Sequence, residues 1–315
     1  MEIFTFKPIY QKRIWGGQNF KVLFDRLIPE GEKIGESWEL VDRPEACSEI
    51  INGTLDQFTI HDLWSKRRLE IFGSRSPDTP RFPILIKLLD CVETLSVQVH
   101  PPEEKAKELQ GEPKTEMWYF LNTAPDAKIY VGLKKGVTES VFKESIGKPD
   151  LVNKLHTLST RPGEAMFLPS GRIHAIGAGN VILEIQQNSD TTYRVDDFGR
   201  VDHQGNVREL HIEQAQKSIR FNDIEPYFAQ PHSDRVLVCE YFSVLRNFMF
   251  PEEEHPWFPD GASFQYHFVV KGDISVGTQT FKTGEAFLIS ANSKPYDLKP
   301  GIEGAELITI EWGKK

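Results

Sequence analysis

The chain has 315 residues, enough for one large domain or two ordinary ones, and its 39% apolar and 26% charged content is usual for a globular protein. Its net charge of −9 and the lack of any basic run argue against nucleic acid and anionic membranes as partners. We expect a cytoplasmic protein, because the three cysteines are widely spaced and we find neither a signal peptide nor an apolar run of roughly 18 residues.

The first predicted elements are a helix and a strand. Residues 54–73 have the apolar spacing of a helix, and Gly73 predicts its end. Residues 84–89, ILIKLL, read as an apolar strand that Lys87 interrupts. Lys87 is either solvated on an edge strand or placed beside Ser96 and Gln98 by a hairpin to the next strand.

The next predicted strand, LSVQVH at residues 95–100, carries two candidate metal ligands. Alternation places Ser96, Gln98 and His100 on one face, with the Cα atoms of Gln98 and His100 about 7 Å apart. Both side chains can therefore reach one ion. A single histidine in a strand is more often an ordinary core or surface residue, so the pair needs partners from elsewhere in the chain.

Strands and short helices alternate in the middle of the chain. Residues 101–111 predict a short helix, because prolines and two glutamates open the segment and a glycine ends it. Strands are predicted at 117–122 and 128–133. Residues 137–159 predict two helices broken at Gly147–Pro149, which makes them a helical insertion in the β-structure.

Two further candidate ligands follow, and a lysine accompanies them. Glu116 opens a strand, and His174 follows a Pro-Ser-Gly turn. With Gln98 and His100 they offer nitrogen and oxygen donors that suit Zn²⁺, and also Fe²⁺, Mn²⁺, Co²⁺ or Ni²⁺. Lys114 is either an exposed loop residue or lies near this ion. A lysine near a cation is disfavoured unless an anion lies between them, so this lysine indicates an anionic ligand.

The strand at 181–187 and the segment after it add a carboxylate and a guanidinium. Glu184 is either exposed at a rim or faces a barrel interior, where its pKa would be raised and it could act as a base. Arg194 either pairs with Asp196 or Asp197 at the surface or binds phosphate or a developing enediolate.

A faint internal repeat indicates two related barrels. PGEAMFLPSGRIH at 162–174 is echoed by TGEAFLISANSKPY at 283–296, and residues 117–132 are echoed loosely by 266–277. Both copies read as strand, turn, strand and then a Gly-Glu-Ala strand. The second copy has no histidine at the place of His174, so we expect only the first barrel to hold a metal.

Ordered motifs in the chain resemble type I mannose-6-phosphate isomerases in their shorter bacterial form. These motifs are GESWEL, LSVQVHPPEE, PKTEMWYFL and PSGRIHAIGAGNVILEIQQNSDTTYRVDDFGR, within residues 5–200. The resemblance implies a mainly β fold of two cupin-type jelly-roll barrels with a helical insertion in the first. We place the metal-binding barrel at 1–220 and the second, metal-free barrel at 221–315.

The resemblance also implies zinc-dependent interconversion of mannose 6-phosphate and fructose 6-phosphate. One Zn²⁺ per chain would be held by Gln98, His100, Glu116 and His174. The catalytic residues would be Arg194, with Glu184 and Lys114 as candidate bases and Glu184 preferred. Ser96 and Lys87 would line the substrate pocket. One departure is that SDTTYRVDDFG lacks the lysine that follows the arginine in longer relatives.

Three functions remain open from the residues themselves. The first is an aldose–ketose isomerase that acts on a small sugar phosphate through a cis-enediol(ate). The second is an Fe(II)-dependent oxygenase, since His100, Glu116 and His174 alone form a two-histidine, one-carboxylate set, although Gln98 then occupies a fourth position. The third is a non-catalytic sugar-binding barrel. We expect a monomer or a weak homo-oligomer.

Overall fold

A computed structural model describes residues 2–201, 205–251 and 253–314, and strands dominate it. The mainly β prediction is therefore confirmed. The strands are β1 Ile3–Phe4, β2 Ile9–Gly17, β3 Ile34–Leu40, β4 Ile84–Cys91, β5 Val97–Val99, β6 Glu116–Thr123, β7 Lys128–Leu133, β8 Leu155–Ser159, β9 Ala165–Leu168, β10 His174–Ile176, β11 Asn180–Gln187, β12 Tyr193–Asp196, β13 Arg235–Val238, β14 Phe242–Met249, β15 Pro256–Trp257, β16 Gln265–Val276, β17 Gln279–Lys282, β18 Ala286–Ile289, β19 Tyr296–Asp297 and β20 Lys299–Trp312. The helices are α1 Asn19–Phe24, α2 Ile60–Phe72, α3 Glu103–Ala106, α4 Glu139–Ser145 and α5 Ile212–Ser218. Among the described residues, no helix has the length and apolar character needed to cross a membrane.

Antiparallel strands form three large sheets. A six-stranded sheet has the order β2-β3-β4-β11-β6-β9, and a five-stranded sheet has the order β12-β5-β10-β7-β8. A seven-stranded sheet has the order β1-β18-β16-β20-β14-β13, with β17 paired to β16. The short strands β15 and β19 form a separate pair.

The six-stranded sheet lies in the middle of a layered molecule. Side chains on one of its faces, such as Trp118, pack with Ile129 and Ile176 of the five-stranded sheet. Side chains on its other face, such as Leu88, pack with Ile308 of the seven-stranded sheet. Because both faces are covered, β4 is apolar almost throughout rather than alternating.

The N-terminus joins the sheet that the C-terminal segment builds. Ile3 and Phe4 of β1 pair with Ile289 and Leu288 of β18. The seven-stranded sheet thus contains both ends of the described chain. Division of the chain at residue 220 stays a prediction.

The two copies of the repeat share a strand register. Tyr119 pairs with Ala165, and Phe268 pairs with Ala286 in the second copy. The expected strand, turn and strand over 266–277 is wrong, because β16 runs through the segment as one strand with two irregularities in its register. Gly272 permits this bend, since its φ of +76° is strained for other residues.

Helix α2 is shorter than the predicted helix at 54–73. It begins at Ile60, and residues before it form a 3₁₀ turn at Gly53–Leu55. The start is set by a capping box, in which Thr59 accepts from the backbone N–H of Asp62 and the Asp62 side chain accepts from that of Thr59. Apolar spacing alone does not locate such a start.

The predicted helical insertion at 137–159 contains one α-helix rather than two. After α4, a 3₁₀ turn at Leu151–Lys154 leads into β8, which hydrogen-bonds to β7 as an edge strand of the five-stranded sheet. The helix predicted at 101–111 is also short. It is limited to α3, and Gln110 then takes a left-handed conformation with φ of 55°.

Candidate metal centre and active site

The four predicted metal ligands come from three strands and the loop after one of them. Gln98 in β5 lies opposite His174 in β10 on one side and opposite Arg194 in β12 on the other. His100 follows the end of β5. Glu116 opens β6 in the six-stranded sheet. The five-stranded and six-stranded sheets, which together form a sandwich, therefore face each other across this group.

The distances bring all four side chains to one point. The Nε2 atoms of His100 and His174 lie 3.6 and 3.4 Å from the two carboxylate oxygens of Glu116. The amide Nε2 of Gln98 lies 3.2 Å from His174 Nε2. His100, Glu116 and His174 are almost completely buried, and their ligand atoms all lie within 4.8 Å of one another.

Backbone carbonyls behind the two imidazoles fix their orientation. His100 Nδ1 donates to the Thr191 carbonyl at 2.7 Å, and His174 Nδ1 donates to the Arg172 carbonyl at 2.9 Å. A carbonyl only accepts, so in each neutral ring the Nε2 lone pair points toward Glu116. This arrangement of outer partners is common for histidines that bind metals.

The charges favour neutral histidines around an ionised carboxylate. Burial lowers the pKa of His174 to about 3, against the opposing effect of Glu116. Burial and the nearby charge of Lys114 lower the pKa of His100. Burial would raise the pKa of Glu116, but Lys114 and the histidines hold it well below its usual value. These are the protonation states that metal ligands require.

The donor set fits a divalent metal such as Zn²⁺. Glu116 Oε2 forms an ion pair with Lys114 Nζ at 2.8 Å, whereas Oε1 has no hydrogen-bond partner among the described residues. Such an unsatisfied buried oxygen is costly unless a cation binds it. A half-turn of the Gln98 amide exchanges its nitrogen and oxygen, which would supply the fourth donor.

A cavity of about 420 Å³ opens above the buried ligands. All the other predicted site residues line it, together with Gln98: Lys87, Ser96, Lys114, Glu184 and Arg194. It is also lined by charged residues to which the sequence had assigned no role: Lys12, Arg13, Glu36, Asp190 and Arg208. The cavity is therefore highly charged and contains more cations than carboxylates.

Glu184 faces the cavity interior, not a solvent-exposed rim, since its exposure is only 4%. Trp118 Nε1 donates to Glu184 Oε2 at 2.9 Å, and Lys114 and Lys87 lie 3.8 and 3.9 Å from Oε1. Burial raises the pKa of Glu184, Glu116 adds to the increase, and the two lysines oppose it. Lys114 is itself buried, and Glu116 and Glu184 raise its pKa against the effect of burial, so it stays an ammonium.

Lys87 reaches the cavity by a different route from the predicted hairpin. It lies in β4, an inner strand between β3 and β11, while Ser96 precedes β5 in the opposite sheet. Neither the edge-strand position nor the hairpin pairing is therefore present. Sheet packing brings Lys87 and Ser96 to one cavity, and Lys87 Nζ lies 3.6 Å from Glu36 Oε2.

Glu36 is a buried partner for the cations on this wall. Arg13 donates to Glu36 Oε1 at 2.8 Å, and Trp38 Nε1 donates to Oε2 at 2.7 Å. Burial would raise the pKa of Glu36, but Lys87, Arg13 and the two hydrogen bonds lower it to about 2. Its signal in the sequence was the motif GESWEL, in which Glu36 and Glu39 interrupt strand β3.

Arg194 does not form the surface pair that was its alternative. Asp197 is bound by Arg200 and Arg208, and the Asp196 side chain accepts from the backbone of Phe198. In the part of the chain that the structure describes, Arg194 has no ion pair, and its buried Nε lacks a hydrogen-bond partner. Arg194 is thus a cation available to a ligand.

Comparison with known proteins supports one family. Residues 3–140 match the family described as "Phosphomannose isomerase type I, catalytic domain". The chain is 37% identical over 248 residues to mannose-6-phosphate isomerase ManA of Bacillus subtilis strain 168, which covers 76% of this chain and 77% of that protein.

One solved structure supports the same family over nearly the whole chain, and a second shares its fold. A mannose 6-phosphate isomerase from Bacillus subtilis superposes with a TM-score of 0.87 at 30% identity, covering 98% of this chain and 99% of that one. A mannose 6-phosphate isomerase whose structure is described as "holo; zinc bound" shares the fold at a TM-score of 0.81 and 16% identity, covering 99% and 100% of the two chains.

Proposed function

Because the chain belongs to the type I mannose-6-phosphate isomerase family, we propose that it interconverts mannose 6-phosphate and fructose 6-phosphate with one bound Zn²⁺. The family favours this reaction over the oxygenase and the non-catalytic barrel. The observation that supports it most directly is a buried two-histidine, one-carboxylate cluster beneath a cavity lined by Glu184 and by Arg194, which has no ion pair among the described residues.

We propose that Glu184 acts as the base. An aldose–ketose isomerisation needs a group that removes the proton from C2 of the open-chain sugar and returns it at C1. Glu184 lines the cavity, and its pKa is raised mainly by burial, which makes its carboxylate a stronger base than an exposed glutamate. The Trp118 N–H leaves one Glu184 oxygen, Oε1, to face the substrate.

Lys114 is better suited to charge stabilisation than to proton abstraction. Its pKa is raised, so it carries a positive charge at neutral pH and has no lone pair for a proton. Placed 3.8 Å from Glu184, it would stabilise negative charge on the sugar oxygens in a cis-enediol(ate). Ser96 and Lys87 would hold sugar hydroxyls from the two opposite sheets that enclose the cavity.

The metal would be held by His100, Glu116, His174 and the oxygen of Gln98. When bound, Zn²⁺ supplies Lewis-acid polarisation of the sugar oxygens next to the reacting carbons. Arg194 pairs in register with Gln98 from the neighbouring strand β12, and its guanidinium, which has no ion pair among the described residues, would bind the phosphate of the substrate.

A coupled assay tests the proposal. The protein, loaded with zinc or treated with a chelator, is mixed with mannose 6-phosphate, and fructose 6-phosphate is measured. We expect turnover with zinc, loss with the chelator and recovery when zinc is returned. Native mass spectrometry should give one zinc per chain. No fructose 6-phosphate from the zinc-loaded protein would refute the proposed reaction.

A further inference from the structure

We infer that Arg208 supplies a second phosphate-binding cation beside Arg194. This inference rests on the proposed function, since it concerns the phosphate of the same substrate. The segment SDTTYRVDDFG has no second cation after Arg194. Arg208, which comes 14 residues after Arg194, would provide a second positive charge from another part of the chain.

The segment that contains Arg208 folds back onto β12, which contains Arg194. The backbone N–H of His211 donates to the Arg194 carbonyl at 2.8 Å, and His211 Nδ1 accepts from the Arg194 N–H at 3.3 Å. His211 closes the loop only three residues after Arg208. Both arginines line the cavity above the metal ligands.

Asp197 holds the Arg208 guanidinium by one edge. Arg208 Nε donates to Asp197 Oδ2 at 2.7 Å, and its Nη2 donates to Oδ1. This paired contact fixes the plane of the guanidinium. Among the described residues Nη1 has no partner, so the outer edge of Arg208 is available to an anion.

The local charge matches a phosphate monoester. Asp197 is shared by Arg200 and Arg208, and Arg194 has no ion pair among the described residues. These four side chains sum to a charge of about +2, and a phosphate monoester carries about −1.5 to −2 at pH 7. Asp190 also lines the cavity, but it lies 3.8 Å from Lys87 Nζ on the other sheet.

The cations on the opposite wall are weaker candidates. Arg13 is held by Glu36, and Lys12 is an exposed residue that pairs with Glu32 at 2.6 Å. Arg13 shares Glu36 with Lys87, but Lys87 also lies 3.8 Å from Asp190 and 3.9 Å from Glu184, so carboxylates match the cations on this wall. Arg208 and Arg200 share a single carboxylate, which leaves positive charge over for a ligand.

The test compares Arg208→Gln with Arg200→Gln. Both remove one positive charge from Asp197, but only Arg208 lines the cavity. For Arg208→Gln we expect KM for mannose 6-phosphate and the inhibition constant of inorganic phosphate each to rise about tenfold or more, because charge-assisted hydrogen bonds are typically worth about 1.5–3 kcal/mol. We expect kcat to change by less than about threefold. Arg208→Lys should recover part of the loss, and Arg200→Gln should leave both constants within about twofold.

Two results would overturn the inference. One is unchanged phosphate inhibition in folded Arg208→Gln and Arg208→Lys proteins. The other is an equal increase in Arg200→Gln, which would assign the effect to the ion-pair cluster as a whole. Calorimetric titration of the zinc-loaded protein with inorganic phosphate gives a readout without turnover. It therefore tests Arg208 even if the wild-type protein fails to isomerise mannose 6-phosphate.

Discussion

At the scale of single residues, two buried carboxylates have pKa values shifted in opposite directions. Glu116 is surrounded by Lys114 and two imidazoles, which lower its pKa despite burial. Glu184 receives one indole hydrogen bond and lies farther from the lysines, so burial prevails and its pKa is raised. One carboxylate is therefore suited to binding a cation and the other to accepting a proton, a division of roles that environment alone creates.

Glu184→Gln should lower kcat by about 10²–10⁴, the usual contribution of a general base. In the wild-type protein kcat/KM should rise with pH through the raised pKa of Glu184, because only the ionised carboxylate accepts a proton. In the Glu184→Gln variant, kcat/KM should no longer rise with pH in this range. The control is Glu311→Gln, since burial also raises the pKa of Glu311 but it lies in the seven-stranded sheet. Near-normal turnover of folded Glu184→Gln would exclude the base role.

Gln98→Met should weaken zinc binding by at least about tenfold, because it removes one donor and keeps the side-chain volume. A competition titration with a chromogenic chelator measures this affinity. Gln265→Met is the matched control, since Gln265 is buried and opens β16 as Glu116 opens β6. Unchanged zinc affinity in Gln98→Met would reduce the ligand set to His100, Glu116 and His174.

At the scale of elements, three neighbouring strands are joined by a row of charges under the cavity wall. Arg13 in β2, Glu36 in β3 and Lys87 in β4 lie side by side, with Glu36 bound to both cations. Lys87 Nζ also lies 5.0 Å from the centre of the Trp38 ring. Burial of such a row is tolerated only while every charge keeps its partner.

Glu36→Gln should lower the free energy of unfolding at pH 7 by about 3 kcal/mol, because it leaves Lys87 buried with less compensation. The pKa of Glu36 falls from 4.5 to about 2 in the folded protein. Its stabilising effect is therefore complete above pH 4.5 and is lost as the pH falls toward 2. Urea unfolding at several pH values should show the two proteins converge in this window. A constant difference across it would contradict this account.

At the scale of the whole molecule, the seven-stranded sheet packs on the sandwich that carries the site. Trp312 at the end of β20 donates from Nε1 to the Phe72 carbonyl at 2.6 Å and packs against Trp64, Phe82 and Phe264. The Tyr119 hydroxyl of the sandwich donates to Glu306 at 2.6 Å. A shared core of this kind couples the stability of the two parts.

Trp312→Ala should lower the stability of the whole chain by about 3–5 kcal/mol, the usual cost of truncating a large buried aromatic side chain. Far-UV circular dichroism and isomerase activity should be lost together in urea, for both wild type and variant. Trp257→Ala, at a partly exposed tryptophan of the short β15–β19 pair, is the control and should have a smaller effect. Two separate transitions would show that the parts unfold independently.

Strands with a clear local pattern are predictable from the sequence, whereas elements fixed by distant partners or by capping side chains are not. Alternation and turn residues predicted β4, β6 and β7 close to their observed bounds. The same reasoning assigned residues 155–159 to a helix, because their pairing with β7 depends on a neighbour more than twenty residues away. Likewise, the start of α2 depends on a two-residue capping box that apolar spacing does not register.

The sequence by itself determined the mainly β fold and grouped Gln98, His100, Glu116 and His174, because alternation and short motifs act over a few neighbouring residues. Only the tertiary structure decided that Lys87 and Ser96 line one cavity from two different sheets and that Glu184 is buried with a raised pKa. It also brought Arg208 beside Arg194 through the backbone closure at His211. These properties depend on which sheets pack together and on how much water they exclude, and no local pattern encodes either.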